Sequence, residues 1–105
     1  MVSHPTTITF FEFLMPLVKS GAKTITIRDE SESHYIPNSV VEVYILETNV
    51  KVCDIRILSV EPLQFDEINE FHANQESLPL DELRTLIKKV YPNTNGLFMI
   101  TFELA

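Results

Sequence analysis

The residues best able to do chemistry lie in the segment SGAKTITIRDESESH, residues 20–34. Lys23 follows a Gly21-Ala22 turn, and Thr26 and Arg28 share one face of what reads as a strand. A lysine beside a second cation tends to lose its proton. The neutral amine can then take the proton of a threonine hydroxyl, which becomes a nucleophile. Lysine-activated hydroxyls are a known variant of the Ser-His-Asp arrangement. Lys23 and Thr26 differ in parity, so a regular strand would point them to opposite faces. They meet only if Lys23 lies in the turn or reaches round. Without further context, a solvated strand edge with scattered charges is the simpler account of these residues.

A third candidate is Glu76, at the end of the helical segment HANQE. The negative end of a helix disfavours the ionised carboxylate, which suits a general acid. The same residue also reads as an ordinary surface glutamate. Asp29 to His34 gathers carboxylates and an imidazole, but the spacing fits neither a calcium loop nor a zincin helix. A solvated acidic turn is the expectation there, with no metal bound. His72 stands at helical spacing to Ile68 and Phe65 and reads as a half-buried packing residue. His4 carries no argument. The single cysteine, Cys53, lies in the strand-like KVCDIRIL and reads as a small apolar filler.

These residues need elements to position them. Ile8 to Phe10 predicts a short strand and Phe11 to Ser20 a helix, which Pro16 must kink or start later. Gly21 stands where a helix ends in a left-handed residue. Thr24 to Asp29 alternates as a strand. Val40 to Leu46 and Val50 to Val60 form a hairpin across Glu47-Thr48-Asn49. Phe65 to Glu76 and Leu80 to Val90 are amphipathic helices, the second with Pro79 in its first turn and Ser77 as a cap. Leu97 to Leu104 closes the order as a strand. Mostly antiparallel strands with two adjacent helices make an α+β pattern, with the sheet curled toward a small barrel.

The 105 residues make one domain, 1–105, with 45 % apolar and 22 % charged side chains. The opening MVSHPTTITFFEF lacks a basic leader and no apolar run spans a bilayer, so the expected location is cytoplasmic, away from membranes. The net charge of −7, from 15 acidic and 8 basic residues, would repel a long polynucleotide and favours a small-molecule partner. A monomer is the simpler expectation.

KTITIRDESESH, preceded by SGA, closely resembles the opening motif of small bacterial ASCH-domain proteins, and within them the YqfB-like N4-acetylcytidine amidohydrolases. ITFFEF, HANQES, LDELRTLIKKVYP and the closing FMITFEL match that group in type and order. The segment from Tyr35 to Glu61 matches only in pattern. The resemblance implies a PUA-like fold, a mainly antiparallel barrel with flanking α-helices and a cleft over the sheet. It implies hydrolysis of N4-acetylcytidine to cytidine and acetate, with the family's base on Lys23, its nucleophile on Thr26 and its acid on Glu76. Arg28 or a backbone N–H would then stabilise the oxyanion, and no metal or organic cofactor would be needed. Fold kinship alone would also allow a non-catalytic module that binds a modified nucleoside or RNA. An amidohydrolase for a different acylated base and a plain structural domain stay open as well.

Overall fold

The computed structural model describes residues 5–94 and 96–105; His4 lies outside them. The chain runs β1 (Thr7–Phe10), α1 (Met15–Ser20), β2 (Ile25–Arg28), β3 (Val40–Ile45), β4 (Lys51–Gln64), α2 (Glu70–Glu76), α3 (Leu80–Val90) and β5 (Gly96–Leu104). Short 3₁₀ turns at Glu12–Leu14, Glu30–Glu32 and Phe65–Glu67 connect them. The α+β pattern read from the sequence holds.

The five strands form one mixed sheet in the order β1-β3-β4-β5-β2. β1 lies parallel to β3, and the other pairings are antiparallel. The sheet is open. β1 and β2 are its edges and share no ladder among the described residues, so the expected barrel lacks a closing seam. A side chain bridges the two edges instead, because Arg28 Nη2 donates to the Thr9 carbonyl at 2.7 Å.

Several boundaries differ from the sequence expectation, each for a local reason. Phe11 to Ser20 is not one helix. A 3₁₀ turn precedes α1, which starts at Met15 with Pro16 in its first turn, where a missing N–H costs nothing. Gly21 ends α1 at φ 81°, as the sequence implied. The helix expected from Phe65 begins only at Glu70, because Ile68 and Asn69 are extended and Asn69 caps α2 through its side chain. Pro79 precedes α3 as its N-cap residue rather than lying in its first turn. Ser77 does not cap α3. It ends α2 in the left-handed region at φ 57°. β4 extends to Gln64 past a register shift between Ile57 and Ser59, and such a bulge lets a long strand coil.

Two apolar clusters sandwich the sheet. Ile8, Phe10, Val18, Val41, Val43, Ile55, Ile57, Ile100 and Phe102 fill one side. Ile27, Leu63, Ile68, Ala73, Leu83, Ile87 and Leu97 pack beneath α2 and α3. All four residues of β2 are therefore buried. Its alternation sends Ile27 into the helical cluster and Thr26 and Arg28 to the opposite face. The polar face of β2 is thus buried, and the solvated strand edge is not what the structure shows.

His72 is buried and serves α2 from its N-terminal end. Its Nδ1 accepts the Asn69 N–H at 3.1 Å, half of a capping box. Burial lowers its pKa below 6.5, against an opposing pull from Glu67. The unfolded chain therefore takes up a proton before the folded one does. Stability should be fully present above the unfolded value of about 6.5 and decline as pH falls through it. Thermal melts at stepped pH would show this. His72→Gln keeps a neutral acceptor at the same helical position and should flatten the slope; an unchanged slope would remove the cap from the explanation.

Candidate active site

A latch between two segments distant in sequence builds the site. The Thr24 N–H donates to the Gln75 carbonyl at 2.8 Å, and the Thr24 hydroxyl reaches Gln75 as well. The Ser77 hydroxyl donates to the Ala22 carbonyl at 3.0 Å. These bonds clamp the approach to β2 against the end of α2, on either side of Lys23 and Glu76. The Lys23 N–H is itself fixed to the Leu17 carbonyl at 3.1 Å. Lys23 precedes the strand, so strand parity does not govern where its side chain goes.

Inside the latch the Lys23 amine is paired with Oε1 of Glu76. The two side chains are only 2 % and 5 % exposed. Glu76, the last residue of α2, is therefore not a surface glutamate. Burial, and then the Arg28 charge, hold the Lys23 pKa well below the ordinary lysine value. The Lys23 amine also lies 5.7 Å from the centre of the Phe10 ring. Such a setting favours the neutral amine over the ammonium.

Thr26 is 4 % exposed, and its Oγ1 accepts from Arg28 Nε at 2.9 Å. The guanidinium stands 5.0 Å from the Phe10 ring centre. Nη1 of Arg28 pairs with Glu32 at 3.0 Å, and the other oxygen of Glu32 accepts from the Tyr91 hydroxyl. The sequence offers Glu32 only as part of the acidic turn and assigns Tyr91 no site role. The one signal for Glu32 was its place four residues beyond Arg28, across the turn at Glu30–Glu32. Tyr91 carried no signal, because only the packing of α3 against the sheet brings it near. The acidic turn is thus not wholly given to solvent. Its serines close it locally, Ser31 Oγ donating to Asp29 at 2.6 Å and Ser33 Oγ to the Glu30 carbonyl at 2.7 Å.

Lys23, Thr26, Arg28 and Glu76 line one cavity of about 180 Å³. Its other wall is apolar, with Phe10, Phe11, Leu86 and Val90 facing the polar group. A ligand here would set a planar apolar body against the rings and helix α3 and present a polar, reactive end to the lysine, threonine and carboxyl. The volume is below the roughly 300 Å³ at which pockets enclose whole drug-sized ligands, so a larger ligand would extend beyond the mouth. Cys53 plays no part. It borders the first of the two apolar clusters from β4, and burial followed by Asp54 raises its thiol pKa, which makes it a poor nucleophile.

The chain is similar to known proteins over nearly its whole length. A family model described as the ASCH domain matches residues 6–79. A protein of Vibrio parahaemolyticus serotype O3:K6 (strain RIMD 2210633) named N(4)-acetylcytidine amidohydrolase is 69 % identical over 104 residues, covering 99 % of this chain and 97 % of that protein. A protein of the same name from Vibrio campbellii is 66 % identical, covering 99 % and 98 % of the two chains. Among solved structures, a protein from Enterococcus faecalis V583 superposes with a TM-score of 0.76 at 20 % identity, covering all of this chain and 78 % of that one. An ASCH domain from Lactobacillus crispatus JV V101 superposes with a TM-score of 0.68 at 14 % identity, covering 96 % and 80 % of the two chains. At such low identities the structural likeness speaks for the fold alone.

Proposed function

This chain belongs to the ASCH-domain family, and from that premise we propose how its buried lysine, threonine and glutamate divide the work of hydrolysing N4-acetylcytidine. It is an amidohydrolase. The observation that carries this activity is the identity of 64–69 % with full-length relatives named for it. The buried polar group on one cavity wall supports the division of roles.

Neutral Lys23 takes the proton of the Thr26 hydroxyl as Oγ1 attacks the acetyl carbonyl carbon. A tetrahedral intermediate forms, its oxyanion met by the N–H groups of Arg28 that are not already engaged, or by a backbone N–H. The C–N4 bond then breaks as Glu76 gives its proton to N4, and cytidine leaves. Water attacks the acetyl-threonine ester and passes a proton to Glu76. Lys23 returns its proton to Oγ1, and acetate is released. The Lys23–Glu76 pair holds one proton before the reaction, one in the acyl-enzyme and one at the end. Burial disfavours both the ammonium and the carboxylate, which favours the neutral amine and protonated carboxyl needed at the start. Free nucleoside rather than a long polynucleotide is the substrate that suits a chain of net charge −7.

A pair that must hold one proton titrates as a unit with two macroscopic pKa values. Below the first, both groups are protonated and no base remains. Above the second, both are deprotonated and no acid remains. The profile of kcat/KM against pH should therefore be bell-shaped, with its alkaline limb below the ordinary lysine value because Lys23 is shifted down. A flat profile across neutral pH would count against the pairing. The activity itself is tested by incubating purified protein with N4-acetylcytidine and separating the products chromatographically. Cytidine and acetate in equal amounts are expected. No conversion by folded protein would favour a binding module instead.

A further inference from the structure

The Arg28 guanidinium is held on three sides. Nε donates to Thr26 Oγ1 at 2.9 Å, Nη1 to Glu32 Oε1 at 3.0 Å and Nη2 to the Thr9 carbonyl at 2.7 Å. Its side chain is 11 % exposed. A guanidinium is a rigid planar fork, so fixing the two Nη atoms fixes the direction of Nε. Nε in turn occupies one acceptor position of the Thr26 hydroxyl. The hydroxyl proton must then point elsewhere, which leaves it free for a base, and a charge-assisted donor stands ready for the developing alkoxide. The Glu32 oxygen not used by Arg28 accepts from the Tyr91 hydroxyl. Tyr91 follows the last residue of α3, so one chain of hydrogen bonds runs from α3 through Glu32 and Arg28 to Thr26.

We propose that Glu32 and Tyr91 are positioning residues for the nucleophile, locking the Arg28 guanidinium so that its Nε holds the Thr26 hydroxyl oriented for attack. This rests on Thr26 being the nucleophile. Glu32 contributes geometry and a counter-charge, not a proton transfer. Tyr91 acts only through Glu32. The Tyr91 phenol stays a donor over the working range, because burial and its bond to Glu32 raise its pKa. Thr9 contributes a main-chain acceptor that side-chain substitution leaves in place, so the described hydrogen bonds on the two Nη atoms are adjustable through Glu32 and Tyr91.

The test measures kcat and KM for N4-acetylcytidine in wild type, Glu32→Gln, Tyr91→Phe and the double variant, with thermal melts as the folding control. Misplacing a reacting group costs rate rather than ground-state binding, so Glu32→Gln should lower kcat roughly 10–100-fold and leave KM within about threefold. Tyr91→Phe should lower kcat by less, about 3–10-fold, and the double variant should be no slower than Glu32→Gln alone, because two members of one chain are not additive. A merely structural role would lower the melting temperature without that non-additive pattern. An unchanged kcat in folded Glu32→Gln, a loss carried by KM alone, or additive losses in the double variant would each overturn the proposal. If Glu32→Gln does not fold, unchanged kcat in Tyr91→Phe overturns it as well. Thr26→Ala is run beside them. Active wild type, dead Thr26→Ala and fully active Glu32→Gln would remove the clamp and keep the nucleophile. Active wild type with active Thr26→Ala would remove both.

Discussion

Thr26→Ala is expected to lower turnover of N4-acetylcytidine by at least about 10³-fold in a protein that still folds, since removing the proposed covalent nucleophile deletes the chemical step while the pocket stays in place. The folding cost should be modest. Arg28 Nε loses one acceptor at a buried position, a penalty of roughly 1–3 kcal/mol. The Glu32 and Thr9 contacts still hold the guanidinium. Thr26→Ser keeps the hydroxyl but loses the methyl that stiffens χ1, and should retain activity within about tenfold of wild type. Brief reaction followed by acid quench and peptide mass analysis should find one acetyl group on the peptide that contains Thr26. Retained turnover in Thr26→Ala would point to direct attack by water and leave Thr26 as a binding group.

The second large effect is expected at the Lys23–Glu76 pair, where activity and stability can be separated. Lys23→Met removes the proposed base and should cost at least about 10³-fold in kcat. It also strips one partner from a contact in which the side chains are 2 % and 5 % exposed. Leaving the neutral Glu76 carboxyl buried without its partner costs about 1–3 kcal/mol, whereas replacing both members by apolar side chains is often neutral. Lys23→Met with Glu76→Leu should therefore regain most of the lost stability, measured by denaturant unfolding, and regain none of the activity. Recovery of both in the double variant would make the pair structural. A dead double variant with restored stability would separate catalysis from folding, because the latch of Thr24 on Gln75 and Ser77 on Ala22 does not depend on the pair.

Much of the site was legible because its residues announce themselves by type. Lys23, Thr26 and Arg28 are polar groups beside or within an alternating strand, and Glu76 ends a helix whose spacing is readable. The motif run around them carried the family. Helix α3 was read with its bounds intact, Leu80–Val90, because an amphipathic period over eleven residues is a strong local signal. Weaker local signals failed. The segment from Phe65 looked like one helix because its apolar spacing runs on, yet the Asn69 side chain and His72 make a better start three residues past the 3₁₀ turn.

The sequence by itself determined the α+β class, the family and the identities of the polar residues, because these depend on residue type and short-range order. Tertiary structure alone decided which of those residues meet. Lys23 and Thr26 line one cavity despite their opposite strand parity, because the chain before β2 is bound to Leu17 and Gln75, contacts that no period in the sequence encodes. Glu76 changed from a surface carboxylate into a buried partner because α2 docks on that same stretch. The open sheet was decided likewise, since the edge of β1 is met by the guanidinium of Arg28 rather than by a strand. Glu32 and Tyr91, 59 positions apart, share a hydrogen bond only because α3 packs its end beside the acidic turn. Local sequence sets conformations over a few residues. Long-range packing sets the surroundings of each group, and here it buries a lysine, a threonine and a glutamate around one cavity.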